Sequence, residues 1–208
     1  MRSFGVFAPQ DDGVVKSPAR SEHLLNIPNA LTLLRLLLIP VFLLASFRGM
    51  FTTAFILFIT AAVTDILDGV IARWLNQKSR IGAILDPAAD KTMLIFGYLY
   101  YTLGGNLTLR IPGWLTFTVF IRDLLIIMFA YLLYTRVQVK RFPPSWAGKI
   151  STVLQAATLG AVIGVNASIP KLNWLAELLF RLALLMTLFS GGDYIRRAKK
   201  MLVLSAAA

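Results

Sequence analysis

The sequence predicts an all-α integral membrane protein: a bundle of six transmembrane helices with both termini in the cytoplasm. Three observations predict it. Of 208 residues, 57% are hydrophobic and only 15% charged, whereas soluble domains average about 25% charged. Six apolar segments, at about 28–48, 51–74, 84–104, 112–136, 148–168 and 172–195, each approach the roughly 20 residues a spanning helix needs. The lysines and arginines gather at alternate segment ends. Fourteen lie in the N-terminal tail, the 2–3 and 4–5 connections and the C-terminus, against Arg48, Arg110 and Lys171 on the other side. By the positive-inside rule the basic side is cytoplasmic.

Each element has its own start and stop signals. The first opens at Pro28, tolerated in a helix's first turn, and Pro40 is expected to kink it. The second ends near Trp74, and Gly104-Gly105 closes the third. Pro112 starts the fourth, Pro143-Pro144 breaks the chain before the fifth, and Pro170 precedes the sixth. Trp74, Trp114, Trp146 and Trp174 fall near segment ends, as interface anchors do. Residues 1–20 are read as a flexible cytoplasmic tail without a signal-peptide core, 21–200 as the six-helix domain and 201–208 as a C-terminal tail. The absence of cysteine excludes disulfides and thiolate chemistry. The net charge of +11 sits at the ends of apolar segments, which suits anionic lipid headgroups rather than nucleic acid.

Against this apolar background stand four aspartates, Asp65, Asp68, Asp86 and Asp90. A carboxylate at the centre of a membrane helix costs about 2.5–3.5 kcal/mol, so it must be paired, hydrated or bound to a cation. The topology places Asp65 and Asp68 in the last turns of helix 2, and Asp86 and Asp90 in the first turns of helix 3. All four then lie at similar depth near the cytoplasmic face. Within each pair the spacing of three or four keeps both side chains on one side of the helix. The short connection predicts helices 2 and 3 as antiparallel neighbours, which lets the pairs converge. Two bare carboxylates about 5 Å apart repel by roughly 3 kcal/mol at an effective dielectric of 20, so convergence requires divalent cations. With no cysteine and one remote histidine, His23, an all-oxygen ligand set favours Mg²⁺ or Mn²⁺ over zinc. A cation transporter or a lipid-binding scaffold could also carry intramembrane carboxylates. A transporter is expected to place them near the midplane, on repeats; here they cluster at one face and no repeat is visible.

The residues Asp65-x2-Asp68-Gly69-x2-Ala72-Arg73-x8-Gly82-x3-Asp86-x3-Asp90 match all eight fixed positions of a known signature. The chain thereby resembles the CDP-alcohol phosphotransferases. Asn26 to Asn29 with Thr32 and Arg35, and Ser145-Trp146-x-Gly148-Lys149, are similar to that family's opening and its approach to the fifth helix. The resemblance implies a homodimeric six-helix enzyme that transfers a phosphatidyl group from CDP-diacylglycerol to an alcohol and releases CMP. It implies Asp65, Asp68, Asp86 and Asp90 as ligands of two divalent cations, with Asp90 also the base on the attacking hydroxyl. It implies CDP contacts at Asn29, Thr32, Asp68, Gly69, Ala72, Arg73 and Gly82, and an active site facing the cytoplasm from a bacterial inner membrane. Arg122 and Lys149 match the positions that hold an acceptor phosphate, and Arg35 joins them by depth. The overall match points to glycerol 3-phosphate as acceptor. Arg122-Asp123 stands where such members commonly carry Arg-Glu, and points instead to phosphatidylglycerol. That pair is equally readable as a structural ion pair. So are Glu177 and Arg181, four apart on helix 6, while Lys91 is read as snorkelling. Asp193 and Tyr194, after Gly191-Gly192, could reach the site from helix 6.

Overall fold

A computed structural model describes the backbone of residues 27–74, 82–137 and 145–206, and within them the side chains of 34–67, 91–132, 135, 145–199 and 201. Among the described residues the regular structure is all helical, with no strand. Six helices follow in order: α1 (Ile27–Phe47), α2 (Phe51–Trp74), α3 (Gly82–Leu103), α4 (Gly113–Val137), α5 (Trp146–Asn166) and α6 (Asn173–Ala206), with a 3₁₀ turn at Pro170–Leu172. The proline and glycine signals place most ends within a few residues. The last helix differs. It continues through the basic run and past residue 195, because after Gly192 no glycine or proline interrupts a string of good helix formers.

α1 runs unbroken through Pro40, whose missing N–H leaves the Leu36 carbonyl without its intrahelical partner. α1 ends in a turn where Met50 N donates to Ala45 O at 2.9 Å and Gly49 N to Ser46 O at 3.0 Å. This is the glycine-terminated motif in which a left-handed residue closes the last carbonyls, and Gly49 has φ +71°. α5 ends the same way, with Ile169 N on Gly164 O and Ser168 N on Val165 O, both at 3.1 Å. There the left-handed residue is Ser168, at φ +66°.

α5 sits centrally, packed against α2, α3 and α6, while α1 covers α2 and α3 and α4 leans on α3 and α6. At the end of the bundle remote from the aspartates, Phe42, Phe51, Tyr100 and Tyr101 cluster. Tyr101 Oη and Ser46 Oγ lie 3.2 Å apart, and Tyr100 Oη donates to the Ser46 carbonyl. The α3–α4 connection is clamped by Asn166. Its Oδ1 accepts from Thr108 N at 2.8 Å and Leu109 N at 3.4 Å, and its Nδ2 donates to Leu109 O at 2.9 Å.

Large apolar side chains also cover the outside. Leu37, Ile56, Ile66, Phe117, Leu124, Ile127, Leu185 and Phe189 are all exposed, a surface suited to lipid rather than water. Among the described residues, three helical stretches are long and apolar enough to cross a membrane: Gly113–Leu132, Trp146–Asn166 and Pro170–Lys199. Leu34–Phe47 and Phe51–Leu67 are shorter apolar stretches. Trp114, Trp146 and Trp174 are exposed near helix starts, where interface anchors belong.

Candidate active site

Along the described side chains, α2 and α3 line a common cavity of about 280 Å³; the ends that flank their connection, where the expected convergence falls, have side chains outside the described residues. The cavity's walls come from α1 (Arg35), α2 (Phe58, Ala61, Asp65), α3 (Met93, Leu94) and α5 (Thr152, Ala156). The cavity owes its room to small residues on its walls: Ala61, Ala62 and Ala156 leave space that larger side chains would fill. The cavity has a polar end, at Arg35, Asp65 and Thr152, and an apolar body.

Of the four aspartates, Asp65 lies within the described side chains. Asp68, Asp86 and Asp90 are placed on α2 and α3, but their side chains lie outside the described residues. So do those of Asn29, Thr32, Gly69, Ala72, Arg73 and Gly82, the nucleotide-contact candidates, and His23 and Trp74. Asp65 is partly exposed, and its Oδ1 lies 2.8 Å from Arg35 Nη1, a guanidinium only 2% exposed. The ion pair answers how both charges are held at this depth: each is the other's partner. A carboxylate offers about four lone-pair positions, so this single contact leaves Asp65 able to ligate a cation. The donor set of Asp65, Asp68, Asp86 and Asp90 is all oxygen and fits a hard divalent ion. Among the described residues no cluster of three such ligands forms, as expected when only Asp65 of the four is described to its side chain.

A second charged cluster joins α3, α4, α5 and α6. Arg122 is 6% exposed, and four of its five N–H groups are directed at the protein. Nε and Nη2 both donate to Ser190 Oγ, at 3.2 and 2.7 Å. Nη2 also reaches Gly148 O at 3.4 Å, and Nη1 donates to Asp123 Oδ1 at 2.9 Å. The Tyr194 ring lies 5.7 Å from the guanidinium carbon, within cation–π range. Tyr194 Oη in turn accepts from Ser145 N at 3.1 Å. Ser145 caps α5, its Oγ accepting from Gly148 N at 2.9 Å, which satisfies one of the orphan donors of a helix start. Lys149 is exposed, with Nζ 5.5 Å from the centre of the Trp146 ring. The first turn of α5 thus presents a helix N-terminus beside two cations, a setting that favours a phosphate.

Several contacts here are invisible to pattern reading. Lys91 does not snorkel; its Nζ pairs with Asp123 Oδ2 across the α3–α4 contact. Ser190 carries no motif, and only its place one residue before Gly191-Gly192 hinted at the site. Tyr194 reaches the cluster as anticipated, whereas Asp193 pairs with Arg197 at 2.9 Å. Glu177 and Arg181 form no ion pair among the described residues. Both are exposed, and an exposed pair four apart is worth only about 0.3–0.5 kcal/mol, too little to hold two long side chains.

Comparison with known proteins supplies the chemistry. Residues 25–189 match a family model described as CDP-alcohol phosphatidyltransferase. A probable phosphatidylglycerophosphate synthase of Mycobacterium tuberculosis strain H37Rv is 34% identical over 202 residues, covering 94% of this chain and 91% of that protein. The CDP-diacylglycerol--glycerol-3-phosphate 3-phosphatidyltransferase of Aquifex aeolicus is 34% identical over 180 residues, 86% of this chain and 98% of its own. A Mycobacterium bovis protein provisionally named a cardiolipin synthase is 35% identical over 145 residues, 68% of this chain and 63% of its own.

Proposed function

Because the chain belongs to the CDP-alcohol phosphatidyltransferase family, we propose that it moves a phosphatidyl group from CDP-diacylglycerol to glycerol 3-phosphate and releases CMP. The carrying observation is near-complete coverage in both directions by relatives named for that acceptor. Family membership makes the chain a membrane-bound transferase of phospholipid biosynthesis and leaves the transporter and scaffold readings without support. The reading adds six spans with both termini in the cytoplasm, a bacterial inner membrane, a homodimer and the 21–200 domain between two tails.

The cavity supports the lipid side of the reaction. Its polar end at Arg35 and Asp65 suits a charged head, and its apolar body between α2, α3 and α5 suits the hydrocarbon below. Asp68, Gly69, Ala72, Arg73 and Gly82, with Asn29 and Thr32, would receive the CDP head. Asp65, Asp68, Asp86 and Asp90 would hold two Mg²⁺ or Mn²⁺ ions, in keeping with the divalent-metal dependence general to the family. Bound there, such ions supply charge neutralisation at the diphosphate and a more acidic acceptor hydroxyl. Asp90 takes the hydroxyl proton on a carboxylate oxygen. The freed oxygen attacks the phosphorus that bears the diacylglycerol, and the bond from that phosphorus to CMP breaks. Lys149 and the α5 N-terminus would receive the acceptor's phosphate, with Arg122 contributing its remaining N–H and Arg35 its charge from the cavity wall.

Two observations favour a second reading. The Arg122-Asp123 pair and the shorter match to the provisionally named cardiolipin synthase support phosphatidylglycerol as acceptor. Purified protein given CDP-diacylglycerol and Mg²⁺ is expected to release CMP with glycerol 3-phosphate and not with phosphatidylglycerol, inositol phosphate or serine. Release with phosphatidylglycerol alone would transfer the assignment to the second reading; silence with every acceptor would end both.

A further inference from the structure

Among the described residues, Asp123 is the one acidic side chain that touches both Arg122 and Lys91. Its carboxylate is 13% exposed and divided between two partners: Oδ1 takes Arg122 Nη1 at 2.9 Å, and Oδ2 takes Lys91 Nζ. The two partners lead in different directions. Arg122 is held on α4 against Ser190 of α6 and Gly148 of α5. Lys91 follows Asp90 directly on α3.

On a helix, adjacent residues are fixed to one another by a 100° turn and a 1.5 Å rise. Pinning Lys91 therefore sets the rotation and height at which α3 presents Asp90, and Asp86 one turn before it. A lysine at the membrane interface ordinarily reaches outward for water; this one is turned inward to α4. We propose that Asp123 is a positioning residue, whose one carboxylate fixes the aim of the α3 aspartates through Lys91 and the acceptor side through Arg122. The proposal rests on the reading of Asp90 and Arg122 given above. It extends that reading by assigning a role to a side chain that touches no reactant. It also gives the aspartate at this position a reason of its own, since Oδ1 already meets the neighbouring Arg122 on the same helix while Oδ2 spans to α3.

The two branches can be separated by kinetics. Asp123→Ala should lower kcat about tenfold or more and raise the acceptor KM about tenfold, with the KM for CDP-diacylglycerol within twofold of wild type. Lys91→Met should reproduce the kcat loss alone, and Ser190→Ala the acceptor KM rise alone. Asp123→Glu, still able to meet both cations, should recover most of both. The Lys91→Met/Asp123→Ala double variant should show no lower kcat than Asp123→Ala, because both changes cut one link. A uniform change in all three parameters, or multiplying losses in the double variant, would overturn the proposal. Amine-reactive labelling of Lys91, read by mass spectrometry, needs no turnover. It should accelerate at least fivefold in Asp123→Asn, and an unchanged rate sinks the proposal whichever acceptor the enzyme uses. A wild-type protein that releases no CMP would instead count against the functional reading.

Discussion

The two ends of the bundle solve the same burial problem with different chemistry. At the far end, polar groups are neutral and closed on themselves. Asn166 spends both its amide ends on the α3–α4 connection, Ser46 is met by Tyr100 and Tyr101, and two helices stop at left-handed residues. At the near end, the groups are ionic: Arg35 with Asp65, and Lys91, Asp123 and Arg122 in a row. Neutral hydrogen bonds contribute about 1 kcal/mol each at little risk. Buried ion pairs often do no better than apolar replacements of the same shape. A protein that needed only stability would build both ends like the first. The ionic end is therefore where binding and chemistry are expected, and the neutral end where substitutions should register as stability alone.

The sharpest break of that contrast comes from Asp90→Asn. Without the base, transfer is expected to fall by about 10²–10⁴-fold, while CDP-diacylglycerol binding and the thermal midpoint stay near wild type. Near-normal turnover would remove Asp90 from its assigned role. Next in size is Arg122→Ala. Charge-assisted contacts are worth about 1.5–3 kcal/mol, so the acceptor KM should rise about 10–100-fold, well beyond any change in the KM for CDP-diacylglycerol. Equal rises in both would make Arg122 a structural group and blur the division between the ends.

The sequence made the ionic end partly legible and the neutral end hardly at all. The four aspartates stood out because charge is rare in apolar segments, and prolines and glycines marked where most helices begin and end. The expectation that the aspartates share one depth came from counting basic residues, a global property. Contacts such as Lys91 with Asp123, or Arg122 with Ser190 sixty-eight positions away, leave no periodic trace. Nor does the cavity between α2, α3 and α5, whose small wall residues Ala61 and Ala156 lie far apart in the chain. Asn166 is a similar case: a single asparagine near a helix end reads as a cap, whereas here it fastens a loop 57 residues earlier in the chain.

That clamp offers the next test, at the neutral end. Asn166→Ala leaves the Thr108 and Leu109 amides without their acceptor. An unsatisfied buried group costs about 1–3 kcal/mol; with both amides only partly buried, about 2 kcal/mol in total is expected. The thermal midpoint in detergent should drop while kcat and both KM values hold. A kinetic effect comparable to that of Arg122→Ala would show that the two ends are coupled rather than separate.

The smallest effect comes from the two left-handed turns, which share one geometry but differ in residue. Gly49 takes φ +71° with open space where a Cβ would stand, so Gly49→Ala tests backbone strain without a clash. Ser168 already bears that strain at φ +66°, on an exposed turn. Relieving a left-handed L-residue returns about 1–2 kcal/mol. Replacement by glycine gives back about 0.4–1 kcal/mol through the freer unfolded chain. Ser168→Gly should therefore stabilise by about 0.5–1 kcal/mol, and Gly49→Ala should destabilise by a similar amount. The two substitutions should shift the melting midpoint in opposite directions by about 1–4 °C, with turnover unchanged in both. A lowered midpoint for Ser168→Gly would mean that the serine side chain contributes more than its backbone strain removes, and that the far end is not governed by backbone closure alone.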